Sequence, residues 1–215
     1  MLTTTMTFDE MVRELRDDRE WLMRKLRHRQ TAWRRRLLKH KGFTLCETDV
    51  WTCPRSKNVW VWSARVRDAR HTADIGLCMG VLGWVEEGMQ WYLFQAREEN
   101  QAGRDTLIVF RPHAWQRYRE RAGLHRLYGR ELVMQMVREN TYFGISADRT
   151  ANSRTAQRMR EPVQIVTRRG AFLGERVAPC HYVINTFITH SQTAGRQREV
   201  LGRLREQVME LNARE

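Results

Sequence analysis

The stretch IVFRPHAWQRYRER, residues 108–121, gathers the side chains best suited to chemistry on a phosphate. Pro112 fits the first position of a helix, because the amide it lacks would be orphaned there in any case. At 100° per residue, Trp115, Tyr118 and Ala122 share one side of that helix. His113, Arg117 and Arg121 fall within about 80° of each other on a different side. One imidazole and two guanidiniums are therefore presented together. A neutral imidazole can take a 2′-hydroxyl proton while the guanidiniums stabilise the crowded charge on phosphorus, which is what metal-free RNA cleavage requires. Two plainer readings compete. His113 can simply cap or pack, and arginines at i,i+4 are common in a chain this rich in arginine.

Something must position these residues, and the composition narrows what. The 215 residues carry a net charge of +13, and 34 of the 38 basic residues are arginine. Arginine grips phosphate with a planar fork and stacks on bases, so the bias suits a polyanionic partner. An Arg-rich codon bias is the competing explanation; clustering of the charges favours the partner. From Trp21 to Cys46 no acidic residue occurs, while Arg24, Lys25, Arg27, Arg29, Arg34, Arg35, Arg36, Lys39 and Lys41 supply nine positive charges. Such a helix forgoes i,i+4 ion pairs, which makes sense if the partner brings the counter-charge.

The periodicity predicts an α+β fold: an antiparallel sheet flanked by helices. Thr7 to Glu10 reads as a capping box opening a long amphipathic helix to about residue 40. Residues 1–42 then form a basic helical arm, and 43–215 a single α+β domain. Within it, 58–104 read as a β-meander whose clearest hairpin joins 75–85 to 89–96. Trp60, Trp62, Trp84 and Trp91 are expected to fill the core or line the sheet. A short strand at 106–110 feeds the helix that begins at Pro112, and a second helix covers 130–140. Residues 142–161 read as a basic loop carrying Arg149, Arg154, Arg158 and Arg160. Strands at 163–167, 171–176 and 181–188 follow, and an amphipathic helix lies in 191–215.

The order of strand, His113 at a helix start, Arg117 and Arg121, second helix, then strands ending in YVINTFITHS resembles the barnase–RelE-like fold of small ribonucleases and toxin domains. The resemblance covers residues 105–190. It implies a catalytic set in which His113, Arg117 and Arg121 come from the helical side. Thr186, Thr189 and His190 would come from the end of the last strand.

Other chemistry finds less support. Cys46, Cys53, His71 and Cys78 have spacings of six, wider than the two to four usual in structural zinc sites, so buried thiols are expected and no cofactor. Arg35 and His40 fit the spacing of the all-helical HEPN ribonucleases, but the strands contradict that fold. No Walker loop, dinucleotide fingerprint, zincin motif or hydrolase elbow occurs, and Asp68, Asp74 and Asp105 are scattered rather than paired. With no leader and no apolar run of spanning length, a cytoplasmic protein without a membrane partner is expected. The expected function is nucleic-acid binding, RNA favoured over DNA, through Arg27, Arg29, Arg34, Arg35, Arg36, Lys39, Lys41 and the 149–160 loop. Three classes stay open: a metal-independent ribonuclease, a non-catalytic binding or packaging protein, and a regulator docking acidic protein surfaces.

Overall fold

The computed structural model describes residues 1–3, 5–39, 45–66, 76–96, 105–140, 143–146, 161–193 and 195–213. Its frame is one nine-stranded sheet in the order β1-β2-β3-β4-β5-β9-β8-β7-β6. The strands are β1 (Leu45–Thr52), β2 (Val59–Val66), β3 (Gly76–Val85), β4 (Gly88–Gln95), β5 (Thr106–Phe110), β6 (Gly144–Ser146), β7 (Pro162–Thr167), β8 (Gly170–Ala178) and β9 (His181–Thr189). The helices are α1 (Phe8–Lys39), α2 (Pro112–Arg121), α3 (Gly129–Glu139) and α4 (Gly195–Ala213). The expected α+β class is therefore the observed one, with one correction to the sheet. β5 and β9 pair in parallel, so the sheet is mixed rather than antiparallel throughout.

Alternation along the strands gives the sheet two apolar faces. Trp60, Trp62, Met79, Val81, Tyr92, Phe94, Leu107 and Val109 point to one of them, where α1 lays Leu15, Leu22, Leu26, Trp33 and Leu37. Each of those five is at most 5% exposed, and burying such a side chain stabilises by about 1.5–3 kcal/mol. The expected helical arm is thus no arm: α1 is a structural layer of the sheet. Val61, Cys78, Leu82, Trp91, Ile108, Phe110, Ile165, Phe172, Ile184 and Phe187 face the opposite side, against α2 and α3. Leu201 of α4 packs with Val166, Ala171 and Leu173 in a smaller third cluster.

Local sequence explains most of these elements. Glu10 accepts from the Thr7 amide at 2.7 Å and the Glu10 amide donates to Thr7 Oγ1 at 3.3 Å, which completes the expected capping box. The β3–β4 hairpin runs Gly80↔Leu93 to Val85↔Gly88. Gly80 is needed because a Cβ there would lie 2.6 Å from the Trp91 indole.

β1 precedes residue 58, where the predicted sheet begins. It is an edge strand, paired from Leu45↔Val66 to Thr52↔Val59, and α1 absorbs its acids. Arg29 pairs with Glu47 and Asp49, and Trp33 Nε1 donates to Glu47 at 2.6 Å. Beside them Asp18, 3% exposed, accepts from Cys53 Sγ, Ser56 Oγ, Asn58 Nδ2 and Trp60 Nε1. One carboxylate thereby ties α1 to β2 and to the turn of the β1–β2 hairpin.

Candidate nucleic-acid interface

The register of α1 against the sheet decides which of its cations face outward. With Leu22, Leu26, Trp33 and Leu37 inward, Arg24, Arg27, Arg34, Arg35 and Lys39 spread over an arc of about 140° on the far side. All five are exposed, as is Arg36 on the flank. Among the described residues no acid pairs with Arg27, Arg34, Arg35, Arg36 or Lys39. Arg36 and Lys39 also stand in the last helical turn, where their charge complements the helix dipole. Arg34 and Arg35 have no such internal role.

Arg29 does not belong with them. Besides its two carboxylates, its guanidinium lies 5.2 Å from the Trp51 ring centroid. It is neutralised by Glu47 and Asp49 of β1 and is withdrawn from the expected phosphate contacts. Lys25 sits 4.6 Å over Trp21 and 5.2 Å over Trp51, a cation held on aromatic faces. Lys41, Arg149, Arg154, Arg158 and Arg160 lie outside the described residues.

The catalytic set expected around His113 is brought together only in part. Arg117 Nε approaches His113 Nε2 at 3.5 Å, a marginal contact, and Arg117 also pairs with Glu120 at 3.1 Å. Arg121 lies two turns away, about 12 Å along the helix at 1.5 Å per residue. β5 ends opposite Ile184, leaving the rest of β9 without a strand on that edge, and Arg121 donates to the Phe187 carbonyl there. Its role is to satisfy backbone.

Thr189 and His190 are occupied elsewhere. Thr189 caps the 3₁₀ turn His190–Gln192, reciprocally with Gln192. His190 Nε2 donates to the Thr167 carbonyl at 3.2 Å, at the β7–β8 turn. Burial pushes the His190 imidazole below its ordinary value, helped by Arg205 of α4. His113 instead lines a recess beside the β3–β4 turn and the start of α3, on the α2–α3 face. The two histidines thus sit against different elements, His113 beside the β3–β4 turn and the start of α3, His190 beside the β7–β8 turn and α4. The helical projection was sound for His113 and Arg117. Which neighbour each side chain would meet depended on the parallel β5–β9 pairing, which the sequence did not reveal.

Of the thiols expected to be buried, Cys53 and Cys78 are, but Cys46 on the edge strand is exposed. Cys53 packs on the α1 face and bonds Asp18, whereas Cys78 packs on the α2–α3 face, where burial pushes its thiol far up. These two cannot share a metal ion. Among the described residues no cluster of three His, Cys, Asp or Glu side chains could hold a metal, and no helix is long and apolar enough to cross a membrane.

Two residues were missed by sequence reasoning. Arg119 stacks on Tyr128 with its guanidinium carbon 4.4 Å from the ring centroid, and Tyr128 is 61% exposed. Of the four tryptophans expected to fill the core or line the sheet, Trp60, Trp62 and Trp91 are buried, while Trp84 stands in β3 and is 62% exposed. Compared with protein-family models, curated proteins and solved structures, the chain matches none.

Proposed function

We propose that this protein binds nucleic acid by its phosphate backbone, RNA in preference to DNA, through the outer side of α1. One observation carries the reading. Arg27, Arg34, Arg35, Arg36 and Lys39 stand exposed without an acidic partner among the described residues, on a helix whose inner side is anchored in the core. A free basic helix repels itself and frays. This one is anchored by its buried inner side, and an external polyanion would relieve its self-repulsion. From Arg27 to Lys39 the helix rises about 18 Å, long enough to span several successive backbone phosphates.

No base-reading element accompanies these cations on α1, so backbone and shape recognition is the expected mode. A cytoplasmic location belongs to the same proposal. An acidic protein surface would meet the same cations, and the 2′-hydroxyl separates the two partners. The ribonuclease reading keeps only the His113–Arg117 contact as support, since Arg121, Thr189 and His190 are engaged elsewhere. The test is binding of a single-stranded RNA and its DNA counterpart across a salt series. Steep salt dependence with RNA bound more tightly supports the reading. Salt-independent binding, or none, removes it.

A further inference from the structure

The two edges of the sheet are not alike. One is β6, three residues long and protected by its shortness. The other is β1, eight residues long and paired to β2 without a bulge. We infer that β1 pairs antiparallel with β1 of a second copy, so that two sheets continue as one and the basic runs of both α1 helices share a face.

The backbone leaves that edge open. The Cys53 amide donates to the Asn58 carbonyl, which fixes the phase of the β1–β2 ladder. Opposite residues alternate between bonded and non-bonded pairs, so Leu45, Glu47, Asp49 and Trp51 exchange bonds with β2. Cys46, Thr48, Val50 and Thr52 therefore turn their amides and carbonyls outward. The Val50 amide agrees with this phase, donating to the Asp49 side chain at 2.8 Å instead of to the ladder. The amides of Cys46, Thr48 and Thr52 meet no backbone acceptor among the described residues. β1 also lacks the lysine, proline or bulge by which edge strands turn a neighbour away, and its two acids are already paired with Arg29.

A second copy fits this edge because a strand is its own complement about a two-fold axis, each donor meeting the matching acceptor. One register also keeps acid from facing acid. With Val50 opposite Val50 of the second copy, Thr48 faces Thr52, and Asp49 faces Trp51. That last pair is compatible, since the Trp51 indole already donates to Asp49 within one chain at 3.0 Å. Centring on Asp49 would set two carboxylates opposite each other, and centring on Thr48 would set Glu47 against Asp49. The β-branched Thr48, Val50 and Thr52 suit cross-strand packing.

The pairing rests on the α1 reading and extends it. A two-fold axis normal to the sheet leaves both α1 helices on the same side. Arg29 reaches β1 from the flank of α1, and Arg36, seven residues on, lies within about 20° of it around the helix. Arg36 is exposed on the flank nearest the axis, so each copy adds its own Arg36 to one phosphate surface. At a net charge of +13 per chain, two copies repel each other until salt or a polyanion screens them.

The test is sedimentation equilibrium of the full-length protein without RNA, in about 0.5 M salt to screen that charge. The parent should dimerise. Thr48→Pro and Thr52→Pro each remove an outward amide and no ladder bond, a change that edge strands tolerate. Each variant takes two hydrogen bonds from the dimer and should weaken it at least about tenfold. Thermal melting of each variant checks the fold, and the exposed Thr52 decides the matter where loss of the Thr48–Ser63 hydrogen bond unsettles the first. No RNA enters the measurement, so failure of the α1 interface and failure of this pairing are distinguishable. A parent that stays monomeric, or a dimer equally tight in both proline variants, would overturn the proposal.

Discussion

Arg29 of α1 is paired with Glu47 of β1, while five residues further along the same helix Arg34 has no acidic partner among the described residues. Two arginines of one basic run therefore do different work. Arg29→Ala should cost stability, about 0.5–1.5 kcal/mol for a partly exposed pair with an added ring contact, and should leave the salt dependence of RNA binding unchanged. Urea denaturation and a salt series on the same variant read both quantities. A lowered salt slope with unchanged stability would return Arg29 to the interface.

Asp18 is the residue whose loss should hurt most. Asp18→Ala leaves the buried Cys53 and Trp60 donors without an acceptor and removes a partner of Ser56 and Asn58, which should cost about 3–5 kcal/mol. Thermal melting gives the comparison. A variant that melts with the parent would mean that the α1 layer is held by its leucines and tryptophans alone.

Acidification should weaken the fold in two separable steps, and both signs follow from lowered values. Burial holds the folded His190 imidazole below the ordinary 6.5, with Arg205 adding to the effect, so the unfolded chain takes its proton first. Its contribution is full above pH 6.5 and is lost as pH falls through the folded value. Glu139 follows lower down. Burial raises its carboxyl, but hydrogen bonds from Arg169 and Gln135 outweigh burial and hold it below 4.5, so its contribution is lost as pH drops beneath that value. His190→Gln should remove the first step alone. A stability profile flat from pH 7 to pH 5 would contradict the burial of His190.

RNA incubated with the protein in EDTA should accumulate no 2′,3′-cyclic phosphate ends. The base at His113 and the groups at Thr189 and His190 have separate neighbours, and Arg121 is committed to the Phe187 carbonyl. Cyclic ends that vanish in His113→Ala would restore the ribonuclease.

The sequence was most legible where a signal is local. The Thr7–Glu10 box, the β3–β4 hairpin and the Pro112 helix start each depend on neighbours within a few residues, and each stands where expected. It was least legible where distant segments meet. The two acids of β1 are answered by Arg29, from another element. The parallel pairing of β5 with β9 leaves no periodic trace, yet it decides that Arg121 meets a backbone carbonyl. Trp84 shares the aromatic, β-branched texture of Trp60 and Trp62, and only its place beside the hairpin turn leaves it exposed. The Arg119–Tyr128 stack joins α2 to the start of α3 through a turn with Gly123 and Gly129 at positive φ, a geometry that spacing alone does not specify.

The α1 interface is tested most directly by the salt dependence of RNA affinity in the parent and in the Arg34→Ala, Arg35→Ala, Arg36→Ala triple variant. Each neutralised phosphate releases counterions, at a log–log slope of about 0.7 to 0.9 per contact. Three exposed arginines without acidic partners among the described residues should therefore reduce the slope by about two to three units, with no change in melting temperature beyond that of surface substitutions. A triple variant that keeps the parent slope would contradict the account and move the nucleic-acid site off α1.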